Sequence, residues 1–247
     1  MMMRSLLVRG MLVGLAAAAA ALVIAWLYGE PQVGHAIAFE EAKAHAAHEG
    51  HEPEVVSRTV QKTAGLITAM AVYGVALGGL FSIAFAFAYG RLGALGARAT
   101  AALVALAGFV AIELVPFLKY PATPPAVGDP GTIGSRTTLY FGMVALGVLA
   151  TTAAVIVSRR LVPRFGVWNA TIAAGLGFTV VIGVGYRLTP KPDAVSGDFP
   201  AAVLWDFRIA SLGVQLVLWA AIGLLFGYLT ERAVARHQSR AAVPAGA

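Results

Sequence analysis

Apolar and polar positions in this chain neither alternate nor fall into a one-faced stripe; they come in long blocks separated by short polar connectors. Apolar blocks of about 20 residues match a hydrocarbon core of roughly 30 Å at about 1.5 Å rise per residue. Six such blocks predict membrane-spanning helices at about 6–28, 64–89, 99–118, 138–157, 167–186 and 201–229. The expected fold is an all-α, polytopic integral membrane helical bundle, one membrane domain over residues 1–247. It would carry a His/Glu-rich outer segment at 30–62 and a cytoplasmic tail at 230–247. Trp26, Tyr28, Tyr89, Tyr120, Tyr140, Trp168, Tyr186, Trp205 and Tyr228 fall near the predicted span ends, where amphipathic rings favour the membrane–water interface.

Composition agrees with this reading. Only 12% of residues are charged, about half the roughly 25% of a soluble domain. There are no cysteines, so disulfides and thiolate metal ligands are excluded. The net charge of +6 does not indicate nucleic acid, because the basic residues sit in short connectors beside spans. Arg4 and Arg9, Arg91 and Arg98, Arg159, Arg160 and Arg164, and Arg232, Arg236 and Arg240 gather on one side, with Glu231 as that side's only acid. That side is expected to be cytoplasmic, with both termini on it. The first block also has features of a cleavable secretory signal, with Ala36-Ile37-Ala38 as a cleavage site. Its apolar run is long for a signal and ends in Trp26 and Tyr28, which favours retention.

A shift of 69 residues aligns Ala71–Pro121 with Tyr140–Pro190 without a gap. It pairs VALG with VALG, Arg91-Leu92 with Arg160-Leu161, Gly108-Phe109 with Gly177-Phe178, and Pro121 with Pro190. This can be read as a helical hairpin repeated in the same orientation, as in parallel-repeat transporters. The small-residue pairs Gly10/Gly14, Gly74/Gly78 and Gly223/Gly227 predict close helix contacts.

Four of the five histidines, His35, His45, His48 and His51, lie in or beside the acidic stretch FEEAKAHAAHEGHEPEV. On a helix Glu41, His45 and His48 would share a face at i, i+4 and i+7. Gly50 and Pro53 should end that helix, leaving His51 and Glu52 on a turn. Imidazole and carboxylate suit zinc, nickel, copper or cobalt, and ligand type alone does not choose among them. His35, Glu41, His45, His48, His51 and Glu52 are therefore candidate metal ligands. A solvated acidic connecting helix fits the same residues.

Besides Arg9 near the start of the first span, three charges fall inside predicted spans: Glu113 in AIELVPFLKYP, and Asp206 and Arg208 in AVLWDFRIAS. Charges at such depth usually face the bundle interior or water, and are paired. Asp206 and Arg208 are about 200° apart round a helix, so they cannot pair with each other. Arg208 shares a face with Ser211 and Gln215, and a cross-helix Glu113–Arg208 pair is the expected arrangement. Pro116 frees a backbone carbonyl nearby. Either these charges hold helices together, or Glu113, Asp206, Arg208 and Gln215 line a cation path. The connector KYPATPPAVGDPGTIGSR is too rich in Pro and Gly for a helix. It is expected to be an outer lid, with a re-entrant segment as the other reading.

The stretches ELVPFLKYPATPPAVGDPGTIGSRTTLYF and FPAAVLWDFRIASLGVQLVLWAAIGLLFG resemble the CbtA family of probable cobalt transporter subunits, and the likeness extends over nearly the whole chain. The resemblance implies a bacterial or archaeal inner-membrane protein that supplies cobalt for cobalamin synthesis. It also implies a small single-span, His-rich partner of the CbtB type. It brings no ligand set, so the candidate residues rest on the physical reading, and cobalt rests on the resemblance alone. The loop carries Thr123 where the family pattern has Asn, which puts any amide role there in doubt.

The expected function is a membrane subunit of a transition-metal uptake system, with Co2+ as cargo and no permanently bound cofactor. No Walker GxxxxGK[ST] loop occurs, so ATP hydrolysis of that kind is not expected of this chain. A non-transporting membrane scaffold is the alternative. HExxH and GxSxG motifs are absent, as is any histidine within a span, which argues against an enzyme.

Overall fold

The computed structural model describes residues 3–48, 56–125, 127, 130–191, 195 and 197–242. The regular elements are helical: α1 (Met3–Ile24), α2 (Glu30–Ala47), α3 (Arg58–Val60), α4 (Leu66–Ala88), α5 (Ala97–Gly108), α6 (Val115–Lys119), α7 (Ile133–Leu188) and α8 (Ala201–Ala242). Widened π-helical turns at Ala25–Gly29, Gln61–Gly65 and Phe109–Leu114 join α1 to α2, α3 to α4 and α5 to α6.

Among the described residues, five helices are long and apolar enough to cross a membrane: Met3–Ala46, Arg58–Ala88, Ala97–Lys119, Ile133–Leu188 and Ala201–Arg236. The expected fourth and fifth spans are the two arms of α7. Straight, its 56 residues would extend roughly 84 Å, far beyond a bilayer core of about 30 Å. The helix breaks at Gly166 (φ 74°, ψ 165°), a conformation essentially restricted to glycine. Pro163, one turn earlier, withholds a backbone donor and weakens the same region. The arms then fold back on each other. Met143 and Ala150 from one arm and Ile182 from the other form a single buried cluster, with Leu146, Phe178 and Tyr186 packed against it. No connector of several residues separates these arms, because the helix continues past Arg159, Arg160 and Arg164 up to the break.

The chain forms two compact units. The first takes in 1–31, 50–106 and 210–247; the second takes in 32–49 and 107–209.

In the first unit α1 lies antiparallel along α4, and glycine explains how closely. A Cβ on Gly14 would strike the Gly74 carbonyl, and a Cβ on Gly78 would strike the Gly10 carbonyl. Ala17, Ala18 and Ala21 continue the same buried stripe. With no water to expel in lipid, helices associate by such close packing. Gly223 of α8 meets Ala105 of α5, and Gly227 meets Arg98 and Ala101. Phe226 sits edge-on to Phe81 and Phe85, at 5.2 and 5.0 Å between ring centroids. One end of this unit is basic: Arg98 pairs with Glu231, Arg98 and Arg232 lie over Tyr228, and Arg9 donates to Thr230 Oγ1 at 3.1 Å. At the other end Arg58 pairs with Glu30 at 2.6 Å, and Trp26 Nε1 donates to the Lys62 carbonyl at 2.8 Å.

In the second unit the segment Phe109–Lys119 packs against α7. A Cβ on Gly147 would strike the Ala111 carbonyl. Gly78 and Gly147 are equivalent positions of the VALG pairing, and each is a close-contact glycine. Lys119 Nζ donates to the carbonyls of Tyr186 (2.8 Å) and Thr189 (3.3 Å), and Tyr120 Oη donates to Pro190 O at 2.9 Å. The ammonium therefore caps the C-terminal end of α7, where carbonyls lack intrahelical partners and the helix dipole favours a cation.

Two stability changes follow. Gly14→Val should lower stability by about 1–3 kcal/mol through overpacking, seen as an earlier transition in detergent-based reversible unfolding. Lys119→Met should cost about 1–3 kcal/mol by leaving two carbonyls short of a donor; Lys119→Arg should recover part of it in the same assay.

Candidate functional site

The acidic, histidine-bearing segment is a helix, because Glu30–Ala47 keeps its proline in the first turn, where it is tolerated, and is rich in alanine and glutamate after Gly34. Helix α2 is held by Ala36, which is buried with Val127 and Phe199, while Phe39 packs against the same cluster. Phe39 and Phe199 meet edge to face at 5.3 Å. The proline-rich connector, which supplies Val127 and the buried Pro124, thus forms a cap together with α2 and the stretch before α8. The Ala36-Ile37-Ala38 triplet lies within uninterrupted helix.

This anchoring leaves His35, Glu40, Glu41 and His45 exposed. The His35 ring nitrogen Nδ1 lies 3.4 Å from Gln32 Oε1. His48 falls just beyond the helix, with a left-handed φ of 56°, and its backbone N–H closes on the His45 carbonyl at 3.2 Å. The expected i, i+4, i+7 face therefore stops at His45, and His48 belongs to the turn. His51 and Glu52 lie outside the described residues. Among the described residues no three His, Asp or Glu side chains come together as a metal-holding group. Glu30, at the start of this acidic stretch, is committed to Arg58 in the first unit.

Glu113 is buried at 8% exposure, in the widened turn Phe109–Leu114 directly ahead of α6. The cause is local. Pro116 has no N–H for the Ile112 carbonyl, and its ring crowds that carbonyl in a regular helix. Widening by one residue relieves both, and such bulges are frequent at functional positions. The Glu113 carboxylate lies within electrostatic reach of Tyr140, and it is not an isolated charge. Tyr186 Oη donates to the Val115 carbonyl beside it.

Arg208 is half-buried, and its Nε donates to the Ala122 carbonyl of the proline-rich connector at 3.2 Å. Asp206, on the far side of the same helix turn, is exposed. Gln215 belongs to the first unit, where its Nε2 lies 3.5 Å from Tyr73 Oη. Its buried Oε1, and the buried indole Nε1 of Trp219 one turn later, have no hydrogen-bond partner among the described residues.

Sequence reasoning missed Tyr140, Tyr186, Lys119, Tyr73 and Trp219 as companions of these groups. The i, i+4 spacing of Gln215 and Trp219 was a usable signal. The other four depend on which helices meet.

No curated protein and no solved structure gives a significant match to this chain. A family model does. It is that of CbtA, described as a probable cobalt transporter subunit, and it matches residues 3–231 of the 247. With nearly its full length matched, this chain belongs to the CbtA family of probable cobalt transporter subunits.

Proposed function

We propose that the chain is the membrane subunit of a cobalt-uptake system serving cobalamin synthesis. In this reading the His/Glu segment gathers the dication outside, and Glu113 and Asp206 pass it inward beside Arg208 and Gln215. The observation that carries it is Glu113: a carboxylate 8% exposed inside an apolar span, on a helix turn widened ahead of a proline. A carboxylate buried in an apolar span is costly to keep ionised, and a passing cation would offset that cost. The exposed His35, Glu41, His45 and His48, with His51 and Glu52 beyond them in sequence, supply ligands soft enough for Co2+ yet too dispersed to trap it, as a gathering surface requires.

The basic end of the first unit supports an orientation with that end, and both termini, in the cytoplasm of a bacterium or archaeon. Moving a dication inward along about 100 mV gains about 4.6 kcal/mol, so a passive route is energetically adequate. A small single-span, His-rich subunit of the CbtB type would deliver the ion to the outer segment. The chain acts as a transporter subunit and not as an enzyme.

A second reading has one observation in its favour. Lys119 and Arg208 each bond backbone carbonyls, as expected of a scaffold whose charges fix helix packing. The two readings separate on one variant. Glu113→Gln should leave a folded protein by size-exclusion chromatography and reduce cellular cobalt uptake to background. Normal accumulation by that variant would end the relay. Replacing His45, His48 and His51 together by Ala should raise the external cobalt concentration needed for half-maximal uptake several-fold while leaving the saturated rate unchanged; a loss confined to the saturated rate would contradict a gathering role.

A further inference from the structure

Within the first unit, α1 and α8 enclose a cleft of about 470 Å³ at the basic end, lined by Arg4, Ser5, Val8, Arg9, Leu12 and Leu229. Its two halves differ in chemistry. Arg4 and Arg9 bring two cations one turn and a half apart on α1. Val8, Leu12 and Leu229 form the other side, and all three are large apolar side chains left substantially exposed.

The charge here lacks a local counterpart. Glu231 is the basic end's one carboxylate in the sequence, and it is engaged by Arg98. Arg9 directs one N–H at Thr230 Oγ1, which orients the guanidinium and leaves most of its five donors for another acceptor. Arg4 is exposed, and it makes no hydrogen bond or ion pair with the described residues. A guanidinium is well matched to phosphate, and basic pockets between membrane helices hold anionic headgroups.

We propose that this cleft binds an anionic phospholipid, its phosphate between Arg4 and Arg9 and an acyl chain along Val8, Leu12 and Leu229. The apolar wall distinguishes a lipid from a soluble anion. A free phosphate would satisfy the arginines and leave the leucines uncovered, whereas a phospholipid satisfies both. The bound lipid would tie the start of α1 to α8 at the level of the headgroups, beside the Arg9–Thr230 bond.

The test uses the full chain, purified in detergent and delipidated. Native mass spectrometry would follow retention of added phosphatidylglycerol, phosphatidylcholine or soluble glycerol phosphate, with thermal unfolding measured in parallel. The expected result is preferential retention of phosphatidylglycerol with a raised unfolding temperature, and no effect of glycerol phosphate. Arg4→Gln combined with Arg9→Gln should cut the preference roughly 30-fold, from about 1 kcal/mol per basic residue. Should the double variant fail to fold, Arg4→Gln alone decides, with an expected loss of roughly fivefold. Equal retention of the two lipids, an unchanged preference in the deciding variant, or a shift reproduced by glycerol phosphate would each overturn the proposal.

Discussion

The hydrocarbon interior offers no water, so every carbonyl released by a helix end, a proline or a widened turn needs a donor from the protein itself. This requirement accounts for one recurrent kind of polar contact in the chain. Trp26 serves Lys62, Tyr186 serves Val115, Lys119 serves Tyr186 and Thr189, Tyr120 serves Pro190, and Arg208 serves Ala122. In each case a long side chain bridges two segments by satisfying backbone rather than by pairing with another side chain. The glycine and alanine stripes of α1, α4 and α7 bring the helices near enough for these reaches to close.

That constraint also explains what the sequence revealed and what it concealed. Apolar block length is a local quantity, so the all-helical membrane architecture was legible, and five of the six predicted spans begin within a few residues of a helix start or just inside one. The small-residue pairs named the right contact stripes, since a glycine's vacancy is visible in one dimension. The sequence pattern puts the reversal of α7 in the right place but resembles a connector there, because Arg159, Arg160 and Arg164 look like loop residues although they are helical. The long extension of helix from α1 into α2 was hidden by its polar composition. Carbonyl partners such as Tyr186 for Val115 carry no sequence signal, because they depend on which helices meet.

The candidate site was legible to the same degree. Glu113, Asp206 and Arg208 stood out as charges in apolar surroundings, and the structure separates them by environment: buried, exposed and half-buried in turn. The widening around Glu113 was half-visible in Pro116, but a proline signals a defect without saying which form it takes. The acidic histidine stretch reads as helix from its sequence and is helix as far as Ala47, while the identity of its anchor, Phe39 against Phe199, requires the fold. The family match gives cobalt transport as the setting; a cation route through these residues is the proposal made within it.

The single-residue reversal at Gly166 bears on biogenesis. Two apolar arms joined with almost no intervening chain leave no soluble connector between them, so the pair is expected to enter a bilayer as one hairpin. They would leave the translocation machinery as a preformed pair, with the guanidinium groups just before the bend held back at the surface.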